Sequence, residues 1–274
     1  MANDTMLDLT IAFLNSSLEH SSLLPLCLIP FDESCDRIIH LQEQYGFLIY
    51  QNTRVLKLCD DISRRFHREC MGHYRKLAMW DGLFSHFIYS DVDTVLLAKV
   101  DFIFDLLRDY DFVTADSGYV PSVWNNSIQT SGLLSVEQIE YSANTGMVAS
   151  TLHSLSIANI CERVEDALRL APYMCLMCQE QPLLNYLIVT SAKRYTSLDI
   201  IARKGRYPSV MCDYWAGFAS AKSRQPKHPD HFPVCRVHWA GVDKPYRDCQ
   251  GNLVVPPEMP LSSLWKHYRF LPQI

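Results

Sequence analysis

Hydrophobic positions along the chain change period repeatedly, and each change predicts an element. From Asp4 to about His20, apolar residues at Met6, Leu7, Leu9, Ile11, Ala12, Phe13 and Leu14 follow a capping residue at Asp4 or Thr5, which predicts a helix. Leu26-Cys27-Leu28-Ile29, bounded by Pro25 and Pro30, predicts a short buried strand. Ser34 to Tyr45 predicts a helix stopped at Gly46, and Phe47 to Tyr50 the next strand. The polar, basic stretch from Asp60 to Met71 predicts an exposed helix, and Tyr74 to Trp80 begins another. His86-Phe87-Ile88-Tyr89-Ser90 predicts a buried strand, Val100 to Leu107 a helix and Asp111 to Ala115 a strand. Ser142 to Ser150 reads as a turn into a strand. Helices follow at about 155–170 and 179–190, and a late strand at Pro233 to Trp239. The segment from Ser117 to Leu133 is rich in Gly, Pro, Ser and Asn, and loops of that length are usually functional or mobile. The alternation predicts an α/β fold with a mostly parallel central sheet flanked by helices. No internal repeat or shift in composition divides residues 1–274, so a single domain is expected.

Composition narrows the function classes. The net charge of -5 leaves no basic footprint for nucleic acid. No apolar run approaches the ~18 residues of a membrane span. Met1-Ala2-Asn3-Asp4 has no basic region leading into an apolar core, so no secretory signal is read there. The ten cysteines sit mostly in apolar runs, where free cysteine behaves as a small hydrophobe. A protein of the reducing cytoplasm is the expectation, and the sequons at Asn3, Asn15 and Asn125 are then chance. Cys175 and Cys178 form a pair without a second pair, which reads as packing rather than zinc. The basic, aromatic stretch from Trp265 to Phe270 fits either packing on its own domain or contact with a membrane surface or a partner. Oligomeric state is not legible.

The candidate chemistry begins where the Phe87-Ile88-Tyr89 strand ends. Asp91 and Asp93 follow it directly, and two unpaired carboxylates are too costly to bury inside a strand. They therefore belong at its carboxyl end, where open α/β sheets place ligands, and on the same side of an extended segment. Two hard oxygen ligands so placed suit Mg²⁺ or Mn²⁺. His238, at the end of the late strand, offers an imidazole to complete such a site. Lys244 offers a point charge for phosphate, and Gly241 would let the backbone approach a ligand closely. Asn144 and Gln181 carry amides able to orient a hydroxyl-rich ligand. Read singly, each has a plainer account: solvated acids in a turn, a core histidine, a turn asparagine, a glutamine at a helix start.

Taken in order, the segments form a more specific pattern. Arg75-Lys76-Leu77 with Trp80, then the strand and Asp91-Val92-Asp93, Asn144-Thr145-Gly146, Gln181-Pro182-Leu183-Leu184-Asn185, and His238-Trp239-Ala240-Gly241-Val242-Asp243-Lys244-Pro245-Tyr246 resemble glycosyltransferase family 8 on the GT-A, Rossmann-like fold. The resemblance runs from the N-terminus to about Tyr246, with 247–274 as a C-terminal extension. It implies Asp91, Asp93 and His238 as ligands of Mn²⁺ (or Mg²⁺). It implies Lys244 and Gly241 as a diphosphate grip, and Lys76, Val92 and Asn3 as donor-binding positions, Asn3 beside the base. Asn144, Glu180 and Gln181 then position the sugar as catalytic residues. Three positions depart from the family pattern. Almost nothing precedes Asn3 where the family has a whole first strand, Glu180 stands where aspartate is usual, and Tyr246 where tryptophan is usual.

The activity so implied is metal-dependent, retaining transfer from a nucleoside diphosphate sugar, UDP-sugar favoured, to a glycan, lipid or small-molecule acceptor. Two alternatives remain open at this level. One is a haloacid-dehalogenase-like phosphatase with Asp91 as nucleophile and Asp93 as acid/base. The other is a non-catalytic sugar-nucleotide-binding relative. A nucleotidyltransferase would want a Gly-rich, basic phosphate loop near the N-terminus, which is not seen.

Overall fold

The computed structural model describes residues 1–271, so the last three residues of the expected C-terminal extension lie outside the described residues. A 3-10 turn at Asp4–Met6 leads into α1 (Leu7–Ser21), followed by β1 (Cys27–Leu28), α2 (Asp36–Tyr45), β2 (Leu48–Ile49) and α3 (Thr53–His67). A buried 3-10 segment, Gly72–Asp81, precedes β3 (His86–Ser90) and β4 (Thr94–Leu96). Next come α4 (Phe102–Leu106), β5 (Phe112–Thr114), α5 (Ile128–Ser131), α6 (Val136–Tyr141), β6 (Met147–Thr151), α7 (Ile157–Leu170), α8 (Gln181–Val189), β7 (Tyr195–Ser197) and α9 (Leu198–Lys204). The chain closes with β8 (Cys212–Trp215), β9 (Val234–His238), β10 (Tyr246–Arg247), β11 (Leu253–Val254) and α10 (Ser262–Arg269). Among the described residues no helix is long and apolar enough to cross a membrane.

The α/β class is as expected, but the strand pairing is more mixed than mostly parallel. β1–β2, β5–β7 and β8–β9 are parallel, whereas β4–β9, β5–β6 and β10–β11 are antiparallel. The sequence pattern gives burial period, not partner direction, and it does not mark β4, β7 or β8 as strands. The chain divides into two compact units.

The first unit holds residues 1–49, 90–102 and the chain from 206 onward. Its sheet has the order β4-β9-β8, packed under Leu9, Ala12, Trp239, Met259, Trp265 and Tyr268. The C-terminal basic and aromatic stretch therefore belongs to this core: α10 buries Trp265 and Tyr268, and Asn15 Nδ2 donates to the Tyr268 carbonyl at 2.7 Å. Arg247 and Arg269 both donate to the buried Asp8, tying α1, β10 and α10 together. At the N-terminus Ala2 is fully buried and makes a parallel bridge to Pro30, with Phe31 N donating to Ala2 O at 2.8 Å. That single bridge lies where the resemblance places the first strand. The backbone N–H of Ile38 donates to Asp4 Oδ1 at 3.0 Å, and Gly46 ends α2 with φ 68°, a left-handed conformation that glycine adopts without steric cost.

The second unit holds residues 50–89 and 103–205. Its sheet has the order β3-β6-β5-β7, with Trp80 edge-on to Phe87 and Phe112. The helix expected from Asp60 begins earlier, at Thr53, capped by Asn52, whose side chain accepts from Val55 N. It is amphipathic rather than simply exposed: Val55, Leu56, Cys59, Ile62 and Phe66 are buried. Asp60 is buried as well, because Arg75 grips it through two hydrogen bonds of 2.8 Å. The long Ser117–Leu133 segment carries a 3-10 turn and α5, and Trp124 and Ile128 anchor it in the core.

Candidate active site

In the first unit, strand pairing brings together residues far apart in sequence. β4 and β9 are antiparallel with Thr94 opposite His238, and Trp239 N donates to Asp93 O at 2.9 Å. The turn between β3 and β4 is pinned by Thr94 Oγ1, which donates to Asp91 O at 2.7 Å. The outcome is a cluster: one donor atom from each of Asp91, Asp93 and His238 lies within 4.8 Å of the others. His238 Nε2 is 3.3 Å from Asp93 Oδ1 and 3.8 Å from Asp91 Oδ2. Lys244 Nζ is 2.6 Å from the other Asp93 oxygen, Oδ2, on a side chain 37% exposed. Two carboxylates and an imidazole nitrogen facing one point fit a hard or borderline divalent cation.

The electrostatics follow from this geometry. Burial alone would raise the Asp93 carboxyl, but the charges of His238 and Lys244 outweigh it and hold the group well below the usual carboxylate range. Burial alone would lower His238, and Asp93 outweighs that and raises it. Behind the cluster lies Arg236, buried, donating to Asp213 at 2.7 Å and to Ser90 Oγ at 2.9 Å. Sequence reading passed over Asp213 and Arg236. The signal for the arginine was its position two residues before His238 on one strand, which puts both on the same face.

Other expected donor-binding residues of this unit are placed more specifically. Gly241 has φ 68°, and a Cβ there would meet no protein atom within 4 Å. The left-handed turn favours glycine here whether or not a ligand approaches. Val92 packs its side chain into the core with Ala2, Leu28 and Phe47. Asn3 is buried; its Nδ2 donates to Asp32 Oδ2 at 2.7 Å and its Oδ1 accepts from Thr5 Oγ1 at 2.6 Å.

The second unit gathers Lys76, Asn144, Glu180 and Gln181. Lys76 and Glu180 are both buried, with Nζ 2.5 Å from Glu180 Oε1. Lys76 also donates to Thr145 O at 3.3 Å and lies 5.0 Å over the Tyr89 ring. Gln181, the first residue of α8, is held at both ends: Oε1 accepts from Thr145 N at 3.2 Å and Nε2 donates to Ser122 O at 3.1 Å. Asn144 Oδ1 accepts from Gly146 N at 2.8 Å, shaping the turn into β6. Asn185, one turn into α8, joins the two segments. Its Oδ1 accepts from Ala143 N, and its Nδ2 donates to Ala143 O and Gln181 O. Its polar side chain in the apolar run Leu183 to Val189 was the signal for this role.

No family model and no curated protein matches the chain. Solved structures do resemble it. The bifunctional glycosyltransferase WbbM in its apo form superposes with a TM-score of 0.63 at 11% identity, over 98% of this chain and 48% of that one. The chain thus spans about half the length of WbbM. The galactosyltransferase LgtC, solved with donor and acceptor sugar analogs, gives 0.55 at 15% identity over 99% of this chain and 96% of that one. Mouse xyloside xylosyltransferase 1 in its apo form gives 0.51 at 10% identity over 90% and 93%. At these identities the likeness concerns the fold, and that fold is GT-A, as these glycosyltransferases have it.

Proposed function

We propose that this chain is a metal-dependent glycosyltransferase that takes a sugar from a nucleoside diphosphate sugar, UDP-sugar favoured, and passes it with retention of configuration to a glycan, lipid or small-molecule acceptor. Residues 1–274 are read as one GT-A-like domain acting in the cytoplasm. The observation that carries this reading is the convergence of Asp91, Asp93 and His238 on one point in a protein of GT-A fold.

Asp91, Asp93 and His238 would hold Mn²⁺ or Mg²⁺. A divalent cation there supplies positive charge to the diphosphate, where negative charge develops as the sugar departs. Lys244 adds an ammonium in the same place. Asn3 and the Val92 backbone are assigned to the nucleotide. Asn144, Glu180 and Gln181 are assigned to the sugar, and their hydrogen bonds suit positioning. Glu180 is neutralised by Lys76, and both ends of the Gln181 amide are engaged, so neither is a ready nucleophile. Front-side attack by the acceptor hydroxyl is therefore favoured, its proton passing to the leaving diphosphate. The transition state at the anomeric carbon is oxocarbenium-like.

The test is a thermal-shift panel of nucleoside diphosphates with Mn²⁺, followed by a donor-hydrolysis screen over UDP- and GDP-sugars. Stabilisation by UDP only with the cation, and release of one sugar, is the expected result. Stabilisation by beryllofluoride without any UDP response would replace this reading with the phosphatase. UDP binding without hydrolysis or transfer would replace it with the binding relative.

A further inference from the structure

Asp213 and Arg236 form an ion pair whose side chains are each 2% exposed. They are register partners on β8 and β9. Ion pairs taken fully out of water are often no more stabilising than apolar side chains of the same volume. Stability alone is thus a weak reason for this pair.

Its surroundings give a better one. Arg236 and His238 alternate on β9 and share a face, and Asp213 sits opposite Arg236 on that face. Arg236 Nη1 donates to Ser90 Oγ, which lies 3.1 Å from Thr94 Oγ1, and Thr94 Oγ1 donates to Asp91 O. This polar chain ends on the turn that carries both acids. Two further buried atoms, Asp213 Oδ2 and His238 Nδ1, make no hydrogen bond within the described residues. An imidazole that ligates a metal through one nitrogen is generally oriented through the other, by a carboxylate or an ordered water. Asp213 Oδ2 is an acceptor on the same sheet face as that nitrogen.

We propose that Asp213 and Arg236 are the positioning pair of the cation site: Arg236 sets the turn from Ser90 to Asp93, and Asp213 orients the His238 ring, directly or through one water, with Nε2 toward the carboxylates. This rests on the cation reading of Asp91, Asp93 and His238. Neither residue touches the donor. Both act through the ligands.

The test replaces the pair without leaving a buried charge alone, as Asp213→Leu with Arg236→Met. Mn²⁺ affinity is read by electron paramagnetic resonance of the free ion, and folding by the melting temperature. A melting temperature near that of the wild type with Mn²⁺ bound about 10- to 100-fold more weakly is expected, the loss typical of outer partners of metal ligands. Wild-type Mn²⁺ affinity in the folded double variant overturns the proposal. Should the double variant not fold, Ser90→Ala is read instead, since it removes the hydrogen bond from Arg236 to Ser90 Oγ and leaves the ion pair whole. Severalfold weaker Mn²⁺ supports the proposal and unchanged affinity overturns it. A wild-type protein that binds no Mn²⁺ overturns the cation reading itself, and the positioning proposal with it.

Discussion

Lys76 with Glu180 in the second unit, and Asp91, Asp93, His238 and Lys244 in the first, are both ionic clusters at expected site positions, but their polar atoms are satisfied differently. In the second unit Lys76 pairs with Glu180, and the neighbouring Gln181 and Asn185 amides are occupied by backbone. In the first unit Asp93 is shared by Lys244 and His238, Asp91 lies 3.8 Å from the same imidazole, and His238 Nδ1 is left without a hydrogen bond. The second cluster pairs a buried ammonium with a buried carboxylate, whereas the first turns two carboxylates and an imidazole nitrogen toward one point. On the function proposed above, the former would orient a neutral sugar and the latter would stabilise charge.

The strongest way to break this contrast is Asp93→Asn, which removes the carboxylate shared by His238 and Lys244. Mn²⁺ binding is expected to fall by more than about 100-fold, beyond what outer partners cost, and the melting temperature in chelator should fall as well, because His238 and Lys244 lose their shared partner. Unaltered Mn²⁺ titration would remove Asp93 from the site. In the second unit Lys76→Met should act on stability. It strands Glu180 in the interior and is expected to cost about 3–5 kcal/mol in denaturant melts, most of it recovered when Glu180→Leu is added. Equal destabilisation in the single and double variants would show that the pair is not coupled. Asn185→Ala sharpens the same point at a neutral residue: loss of its bonds to Ala143 and Gln181 should cost about 1–3 kcal/mol, with Mn²⁺ affinity untouched.

The smallest effect is the pH dependence of the chelator-treated protein. His238 is raised, so the stability it lends is full below its unfolded value of about 6.5 and is lost as pH rises through the folded value. Asp93 is lowered, so its contribution is full above about 3.9 and is lost only as pH falls through its folded value. From about 6.5 up through the raised His238 value, raising the pH should lower the melting temperature by a few degrees, and His238→Asn should flatten the slope. An equal slope in the variant would place the titrating group elsewhere.

Elements with a long apolar period were legible in the sequence. α1, α2, α7 and β3 fall where their patterns predict, because burial of one face is written into residue spacing. Short β4, β7 and β8 were not, and α3 was misread as exposed because its Arg-rich surface conceals a buried stripe and Asp60 is neutralised by Arg75, distant in sequence. At the site, the acids at the end of β3 were legible because an apolar strand cannot hold them. At Gly241 the structure adds a constraint of its own, a left-handed φ of 68°, which is invisible in a sequence.

Residue types and order alone therefore determined the α/β class, the position of Asp91 and Asp93 at a strand end, and the set of side chains able to hold a cation or a sugar. Tertiary structure decided which of them meet. His238 reaches Asp93 only because β9 pairs antiparallel with β4, and Arg236 and Asp213 come behind it only because β8 joins in parallel. Lys76 and Glu180, more than a hundred residues apart, become a neutral pair only when both are buried. Periodicity is a local property of the chain, but charge compensation and ligand geometry depend on partners that folding alone brings within a few ångströms.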